Sequence, residues 1–271
     1  MDTQTLRSYL EVCQRAAQAG GRVLLEKMGK VQSREKSPRD LVSEADLAAQ
    51  EAICQVIGEA FPGDPILGEE SESAGWVEMA QGIRWLVDPL DGTTNYIHGV
   101  PHFAVSVAVE EKGEVVAGAI WDPIHGDLYT ASRGGGAWLN GRRLQTSQVQ
   151  QLGGAIAAAG FPPRVQEDSP DLVVFLEALK HCQTVRRTGS TALNLGYLAA
   201  GWFDLFWSFS TNIWDIAAGV LLVQEAGGVI SNPHGGPLEL HAGQFLASAN
   251  PTLHQQLCQL VRQAKAIPPS G

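Results

Sequence analysis

The sequence lacks the features that mark secreted, membrane-spanning or zinc-binding proteins. It has only four cysteines, with no C-x-x-C pair among them. Several lie in apolar helical patterns, so we expect buried free thiols in a reducing cytoplasm. The N-terminus does not show the charged and then apolar layout of a signal peptide. No uninterrupted apolar run approaches the roughly 20 residues of a membrane span, so we expect no membrane partner.

Positive charge is also scarce. The chain of 271 residues has 19 lysines and arginines against 29 acidic residues, a net charge of -10. This balance argues against a nucleic acid as the main partner. A kinase is disfavoured because no G-x-x-x-x-G-K-[ST] loop is present to cradle a nucleotide. The seven histidines are scattered along the chain, so we expect no zinc site built from histidine and cysteine.

The most informative segment is an apolar run that ends at two aspartates. Residues 85–95 read W-L-V-D-P-L-D-G-T-T-N, and the aspartates are Asp88 and Asp91. The run predicts a buried strand that delivers both carboxylates to its carboxyl end, where α/β proteins bind ligands. The residues after Asp91 can open a short helix whose backbone N–H groups face an anion. Hard oxygen ligands beside an anion site indicate phosphate chemistry.

Further acidic residues lie where predicted elements begin or end, namely Asp46, Glu69, Glu70 and Asp215. Ser43 followed by Asp46 resembles a helix-capping pattern, and Asp215 begins an apolar helix. Taken singly, each has an ordinary explanation as a helix-dipole partner, a surface helix residue or a loop end. Several carboxylates brought together would repel one another, and a divalent cation removes that repulsion. Oxygen ligands without a cluster of histidines or cysteines favour Mg²⁺ over zinc.

The apolar periodicity predicts alternating helices and strands in two halves that share one interface. Helices are predicted over 5–27, 172–180, 191–200, 214–226 and 252–264. Strands are predicted over 103–109, 115–121, 128–131, 155–159, 202–207 and 245–249. We expect a single domain whose first half, 1–147, carries the metal and phosphate site. The second half, 148–267, would carry the substrate side and the Asp215 helix, and 268–271 a disordered tail.

The motifs, in this order, resemble those of the inositol monophosphatase family. The matching segments are K-S-P-R-D-L-V-S-E-A-D at 36–46, G-E-E-S at 68–71, D-P-L-D-G-T-T-N at 88–95, W-D-I-A-A-G at 214–219 and E-A-G-G at 225–228. The resemblance covers nearly the whole chain. It implies an α/β fold layered α-β-α-β-α, of the inositol monophosphatase and fructose-1,6-bisphosphatase type. It also implies a homodimer and Mg²⁺-dependent, lithium-sensitive hydrolysis of a small phosphate monoester.

The resemblance further implies a role for each matched position. The metal ligands, for about two or three Mg²⁺ ions, would be Glu69, Asp88, the Leu90 carbonyl, Asp91 and Asp215. Asp46 and Thr93 would orient and deprotonate the attacking water, and Glu70 would support a further, weaker Mg²⁺ or its waters. The residues implied at the phosphate and the substrate are Leu90, Asp91, Gly92, Thr93, Gly189, Ser190, Thr191, Ser208 and Asp215.

One position departs from the family pattern. Inositol phosphatases usually carry a glutamate seven residues before the aspartate matched by Asp215, and this chain has Ser208 there. A carboxylate clamp on the inositol hydroxyls is therefore missing, which relaxes or redirects the choice of substrate. Inositol 1-phosphate is the first expectation, while histidinol phosphate, fructose 1,6-bisphosphate and phosphoadenosine phosphate stay open. A non-catalytic regulatory protein is the alternative of another class, disfavoured because every matched metal and water-activating position is present.

Overall fold

The computed structural model describes residues 2–30, 33–37, 40–70 and 82–265, so the tail predicted at 268–271 lies outside the described residues. The helices within these ranges are α1 (Thr3–Lys27), α2 (Glu44–Ala60), α3 (Thr93–Ile97), α4 (Pro170–His181), α5 (Thr191–Ala199), α6 (Ile213–Glu225) and α7 (Pro251–Gln263). None of these helices is long and apolar enough to cross a membrane.

The strands form sheets that differ in size and in strand direction. A seven-stranded sheet contains β3 (Ile66–Gly68), β4 (Ile83–Asp91), β5 (Ala104–Glu111), β6 (Glu114–Asp122), β7 (Asp127–Ser132), β8 (Gly136–Leu139) and β9 (Arg142–Arg143), in chain order. Only its β3–β4 pair is parallel. A five-stranded sheet has the order β11 (Thr184–Arg186), β10 (Ile156–Ala159), β12 (Leu205–Ser208), β14 (Phe245–Ser248) and β13 (Val229–Ser231). A hairpin of β1 (Ser33–Ser37) and β2 (Asp40–Ser43) stands apart.

The sheets and helices stack in alternating layers. Helices α1 and α2 cover one face of the seven-stranded sheet, and α5 and α6 cover the other. The five-stranded sheet lies against α5 and α6, and its far face is covered by α4 and α7. Alternate side chains feed the two cores, since Leu86 faces α6 while Trp85 and Val87 face α1 and α2. This α-β-α-β-α order confirms the fold expected from the motifs.

A buried histidine links helix α7 to the smaller sheet. His254 is 8% exposed, and its ring nitrogens lie 2.8 Å from the Ser248 hydroxyl and 2.9 Å from the Ser231 hydroxyl. Burial lowers the pKa of His254 below its usual value. The neutral imidazole is therefore the form that the folded chain accommodates, whereas the unfolded chain binds a proton once the pH falls below about 6.5.

The free energy of unfolding should therefore decrease as the pH falls through this range. When only the unfolded chain takes up this proton, the free energy of unfolding falls by at most about 1.4 kcal/mol per pH unit. Urea unfolding at pH 7.5 and pH 5.5 should show a larger loss for the wild type than for His254→Gln, which cannot titrate. An equal loss in both proteins would contradict this assignment.

Candidate active site

The carboxyl end of β4 carries two aspartates on one side of the sheet because the strand is bulged. Asp88 pairs with Ser106 and Asp91 with Ala104, so β4 has one residue more than β5 between these pairs. Residues three apart on a regular strand face opposite sides, and one extra residue reverses that relation. Asp88 and Asp91 are 2% and 8% exposed. Both carboxylates therefore point toward the middle helical layer.

Asp91 is held by the first turn of α5. The Ser190 hydroxyl donates to Asp91 Oδ2, and the backbone N–H groups of Thr191 and Ala192 donate to the carboxylate at 3.0 and 2.9 Å. Burial raises the pKa of Asp91 to about 6, against the effect of these donors, which favour the charged form. The contact joins the two halves of the chain at the site.

Asp88 is the centre of a group of like charges. Burial raises the pKa of Asp88 well above its usual value, and three neighbouring carboxylates raise it further: Glu69, Asp91 and Asp215. One contact acts the other way, since the Leu90 N–H donates to Asp88 Oδ1 at 3.0 Å. Four acidic side chains, of which Asp88 and Asp91 are buried, form an electrostatically unfavourable arrangement that a cation relieves.

Asp46 and Thr93 meet beside this group, although 47 residues separate them. Asp46 belongs to the capping box of α2, where the Ser43 N–H and hydroxyl donate to its Oδ2 at 2.8 and 2.6 Å. Its other oxygen, Oδ1, lies 3.3 Å from the Thr93 hydroxyl, which also lies 3.0 Å from the Leu90 carbonyl. The cap fixes the orientation of Asp46, which is 1% exposed, so one oxygen is directed at Thr93.

Glu69 and Glu70 follow β3, which ends beside β4. The Glu69 N–H extends the strand pairing by donating to the Val87 carbonyl at 3.1 Å. The Glu70 N–H donates to the side-chain oxygen of Gln50 on α2 at 3.0 Å. The pairing of β3 with β4 thus brings Glu69 and Glu70 next to the end of β4.

Asp215 enters from the first turn of α6. Its Oδ2 accepts from the Asn212 N–H at 2.8 Å, which completes a capping box. The Asp215 carboxylate therefore caps α6, and its charge also contributes to the raised pKa of Asp88.

A cleft of about 720 Å³ opens beside these carboxylates. It is lined by Glu69, Gly92 and Thr93 from the first half of the chain, and by Gly189 from the second half. Asn95 joins the two halves here, because its amide nitrogen lies 2.7 Å from the His102 carbonyl and 2.9 Å from the Thr188 carbonyl. The volume is in the range of small-molecule sites.

The predicted substrate residues are divided between the cleft and the layer behind it. Gly92, Thr93 and Gly189 line the cleft. Ser190 is 1% exposed and its hydroxyl faces Asp91, so it supports a predicted metal ligand, a role that the sequence did not indicate. Ser208 is also 1% exposed, and a Cβ at Gly160 would come within 2.6 Å of its hydroxyl. Its side chain thus packs directly behind Gly160.

The donor set fits Mg²⁺. In the described ranges no group of three or more acidic, histidine or cysteine side chains forms a finished metal cage. The charges of Glu69, Asp91 and Asp215 nevertheless all raise the pKa of the buried Asp88. Carboxylate and carbonyl oxygens are the ligands that Mg²⁺ prefers, and the Leu90 carbonyl lies beside them, next to the Thr93 hydroxyl. The chemistry of the group therefore suits a hard divalent cation.

Comparison with known proteins identifies the class. A sequence model of the inositol monophosphatase family matches residues 5–266, and the chain belongs to this family. The Nus factor SuhB of Pseudomonas aeruginosa is 41% identical over 251 residues, covering 89% of this chain and 92% of that protein. The inositol-1-monophosphatase of Rhizobium meliloti is 42% identical over 243 residues, covering 88% and 91%. The structure of the extragenic suppressor protein suhB from Bartonella henselae matches with a TM-score of 0.86 and 37% identity, covering 93% and 98%.

These similarities confirm what the motifs indicated about the class of protein. The chain is a phosphatase, with the layered α/β fold of its family. The family is typically metal-dependent and acts on phosphorylated small molecules. Five points stay predictions: the identity of the metal, the number of bound ions, the role of each residue, the homodimer and the cytoplasmic location.

Proposed function

We propose that this phosphatase hydrolyses inositol 1-phosphate to inositol and phosphate, with Mg²⁺ and with water as the nucleophile. The observation that supports this most strongly is the position of the Thr93 hydroxyl. It lies between Asp46 and the Leu90 carbonyl, and Thr93 lines a cleft that borders the acidic group around Asp88. In this proposal Asp46 serves as the base, and the acidic group around Asp88 holds the metal on the other side of Thr93.

The ligands of Mg²⁺ in this proposal are side-chain oxygens and one carbonyl oxygen: Glu69, Asp88, Leu90, Asp91 and Asp215. Bound Mg²⁺ would supply positive charge that lowers the pKa of water and neutralises the phosphoryl and leaving oxygens. The chain contributes by holding these oxygens in place. Ser190 fixes the position of the Asp91 carboxylate, and the bulge keeps Asp88 on the same side of the sheet.

The water is deprotonated through two side chains. Thr93 Oγ accepts the proton of the attacking water and passes its own proton to Asp46 Oδ1, which lies 3.3 Å away. A threonine hydroxyl is a weak base alone, so it needs the carboxylate behind it. The Ser43 donors hold Asp46 in the orientation that this transfer requires. Gly92, which has a φ of 98° that favours glycine, starts α3 and leaves its own N–H and that of Thr93 for the phosphate.

Two halves of one domain form this site in the proposal, 1–147 and 148–267. The contact between Asp91 and Ser190 supports it, since each residue comes from a different half. Residues of both halves also line the cleft, with Thr93 from the first half and Gly189 from the second.

Phosphate release from a panel of monoesters tests the proposal. The panel contains inositol 1-phosphate, histidinol phosphate, fructose 1,6-bisphosphate and phosphoadenosine phosphate, each with Mg²⁺, with Mg²⁺ plus Li⁺, and with chelator. We expect Mg²⁺-dependent, Li⁺-sensitive release with the highest kcat/KM for inositol 1-phosphate. A higher kcat/KM for another monoester would leave the chemistry standing and overturn the substrate. Equal rates with chelator would overturn the role of Mg²⁺.

A regulatory function is the second candidate, because a relative at 41% identity is named as a Nus factor. In this alternative the protein would bind a partner macromolecule, and phosphate hydrolysis would be absent or incidental. A folded protein that releases phosphate from no member of the panel would favour it.

A further inference from the structure

The residues that line the cleft are of two chemically different kinds. The end near β4 is acidic and polar, with Glu69, Gly92 and Thr93 on its wall. Phe161, Leu172 and Arg187 from the second half of the chain also line the cleft and form a second wall. A substrate whose scissile phosphate lies against the acidic end would direct its alcohol portion toward this second wall.

Arg187 is the cation of the second wall. Its guanidinium carbon lies 5.2 Å from the centre of the Phe161 ring, the distance of a cation–π contact. Phe161 is itself supported by Phe175, whose ring centre is 5.5 Å away in an edge-on arrangement. Arg187 is exposed, but this contact holds its guanidinium near the Phe161 ring, which lowers the entropy lost when it binds a ligand.

No carboxylate of the described residues forms an ion pair with Arg187. Its planar donors are therefore available to an anion in the cleft. Near this wall, Ser208 replaces the carboxylate that would clamp neutral hydroxyls, and it is packed behind Gly160. A cationic wall without a carboxylate suits a negatively charged group better than a neutral polyol.

We propose that Arg187, held against Phe161, is an anion subsite for a second phosphate on the alcohol portion of the substrate. This inference rests on the proposed function, because it assumes that the scissile phosphate lies at the acidic end of the same cleft. It assigns Arg187 a part in substrate selection, so that this residue raises turnover of a bisphosphate relative to the monophosphate of the same alcohol.

Inositol 1-phosphate and inositol 1,4-bisphosphate form a suitable pair of probes, since they differ only by a phosphate at the far end of the same ring. The readout is the ratio of kcat/KM for the bisphosphate to kcat/KM for the monophosphate, measured as initial phosphate release with Mg²⁺. Arg187→Gln should lower this ratio by about fivefold to tenfold, the loss expected when a partly exposed charge-assisted hydrogen bond is removed.

Arg186→Gln is the matched control. Arg186 is the adjacent arginine, but its guanidinium donates to the Thr184 hydroxyl and it is not among the described residues that line the cleft. Arg186→Gln removes the same formal charge as Arg187→Gln, so its effect measures only the long-range attraction of anions. The ratio for this variant should stay within about twofold of the wild type.

Two results would overturn the subsite while leaving the phosphatase proposal intact. One is an unchanged ratio in Arg187→Gln, and the other is an equal decrease in Arg186→Gln. Failure of the wild type to release phosphate from either probe would overturn the proposed function, and the subsite with it.

Discussion

Replacing Asp88 by asparagine should abolish phosphate release while leaving the chain folded. Asp88 is buried among three other carboxylates, and its side chain accepts from the Leu90 N–H. Asparagine keeps an oxygen for that hydrogen bond but removes the charge that a cation would bind. We expect kcat to fall by about 1,000-fold or more, because neutralisation of charge is the main part of phosphoryl-transfer catalysis.

The same substitution should not lower stability when chelator is present. Removing one of several repelling carboxylates favours the folded state, so the Tm of Asp88→Asn should equal or exceed that of the wild type. Adding Mg²⁺ should raise the Tm of the wild type more than that of the variant. Thermal melts with chelator and with Mg²⁺ test both statements. Wild-type activity in the variant would contradict the assignment of Asp88 as a ligand.

Asp204→Asn is a control for loss of a buried carboxylate elsewhere. Asp204 is 4% exposed and accepts from the Ser147 hydroxyl and the Ile156 N–H, at the end of β12 opposite Ser208. Its substitution should lower the Tm, while the folded protein keeps its Mg²⁺-dependent activity. The two variants thus separate the effect of the acidic group from a general effect of burial.

Thr93→Ala should lower kcat by about 100-fold to 10,000-fold with a much smaller change in KM. The hydroxyl that the substitution removes lies 3.3 Å from Asp46 Oδ1. In the proposed mechanism it acts on the attacking water, and this interaction belongs to the transition state. Steady-state kinetics with saturating Mg²⁺ measure both constants. The backbone N–H of residue 93 is unaffected by the substitution, so binding of the phosphate by that group should persist.

Thr93→Ser provides the control, because it restores the hydroxyl without the methyl group. We expect it to recover most of the lost kcat. An effect of Thr93→Ala on KM alone, or failure of the serine variant to recover activity, would contradict the role of the hydroxyl in activating water.

Local sequence signals predicted those parts of the site that lie within one element. The apolar run before Asp88 predicted the buried strand β4, and Ser43 with Asp46 predicted the cap of α2, which the capping box confirms. The bulge between Asp88 and Asp91 was not predicted, because it is defined by pairing with β5. The contact of Asp91 with Ser190 spans 99 residues and depends on how the layers stack.

Two other features show the same limit. The strand predicted from residue 202 begins only at Leu205, because the Trp202 and Phe203 N–H groups donate to the Tyr197 carbonyl and close the end of α5. The sequence does not indicate that Arg187 lines the cleft, since an arginine before Thr188 and Gly189 has the pattern of an ordinary surface charge. Only the position of Phe161 beside it shows that it belongs to the cleft.

Calorimetric titration of Mg²⁺ into the chelator-treated protein tests the central claim most directly, namely that the acidic group around Asp88 holds the metal that hydrolysis requires. We expect the wild type to bind about two or three Mg²⁺ ions and Asp88→Asn to lose at least one site. Binding to the variant with the stoichiometry and affinity of the wild type would contradict the claim.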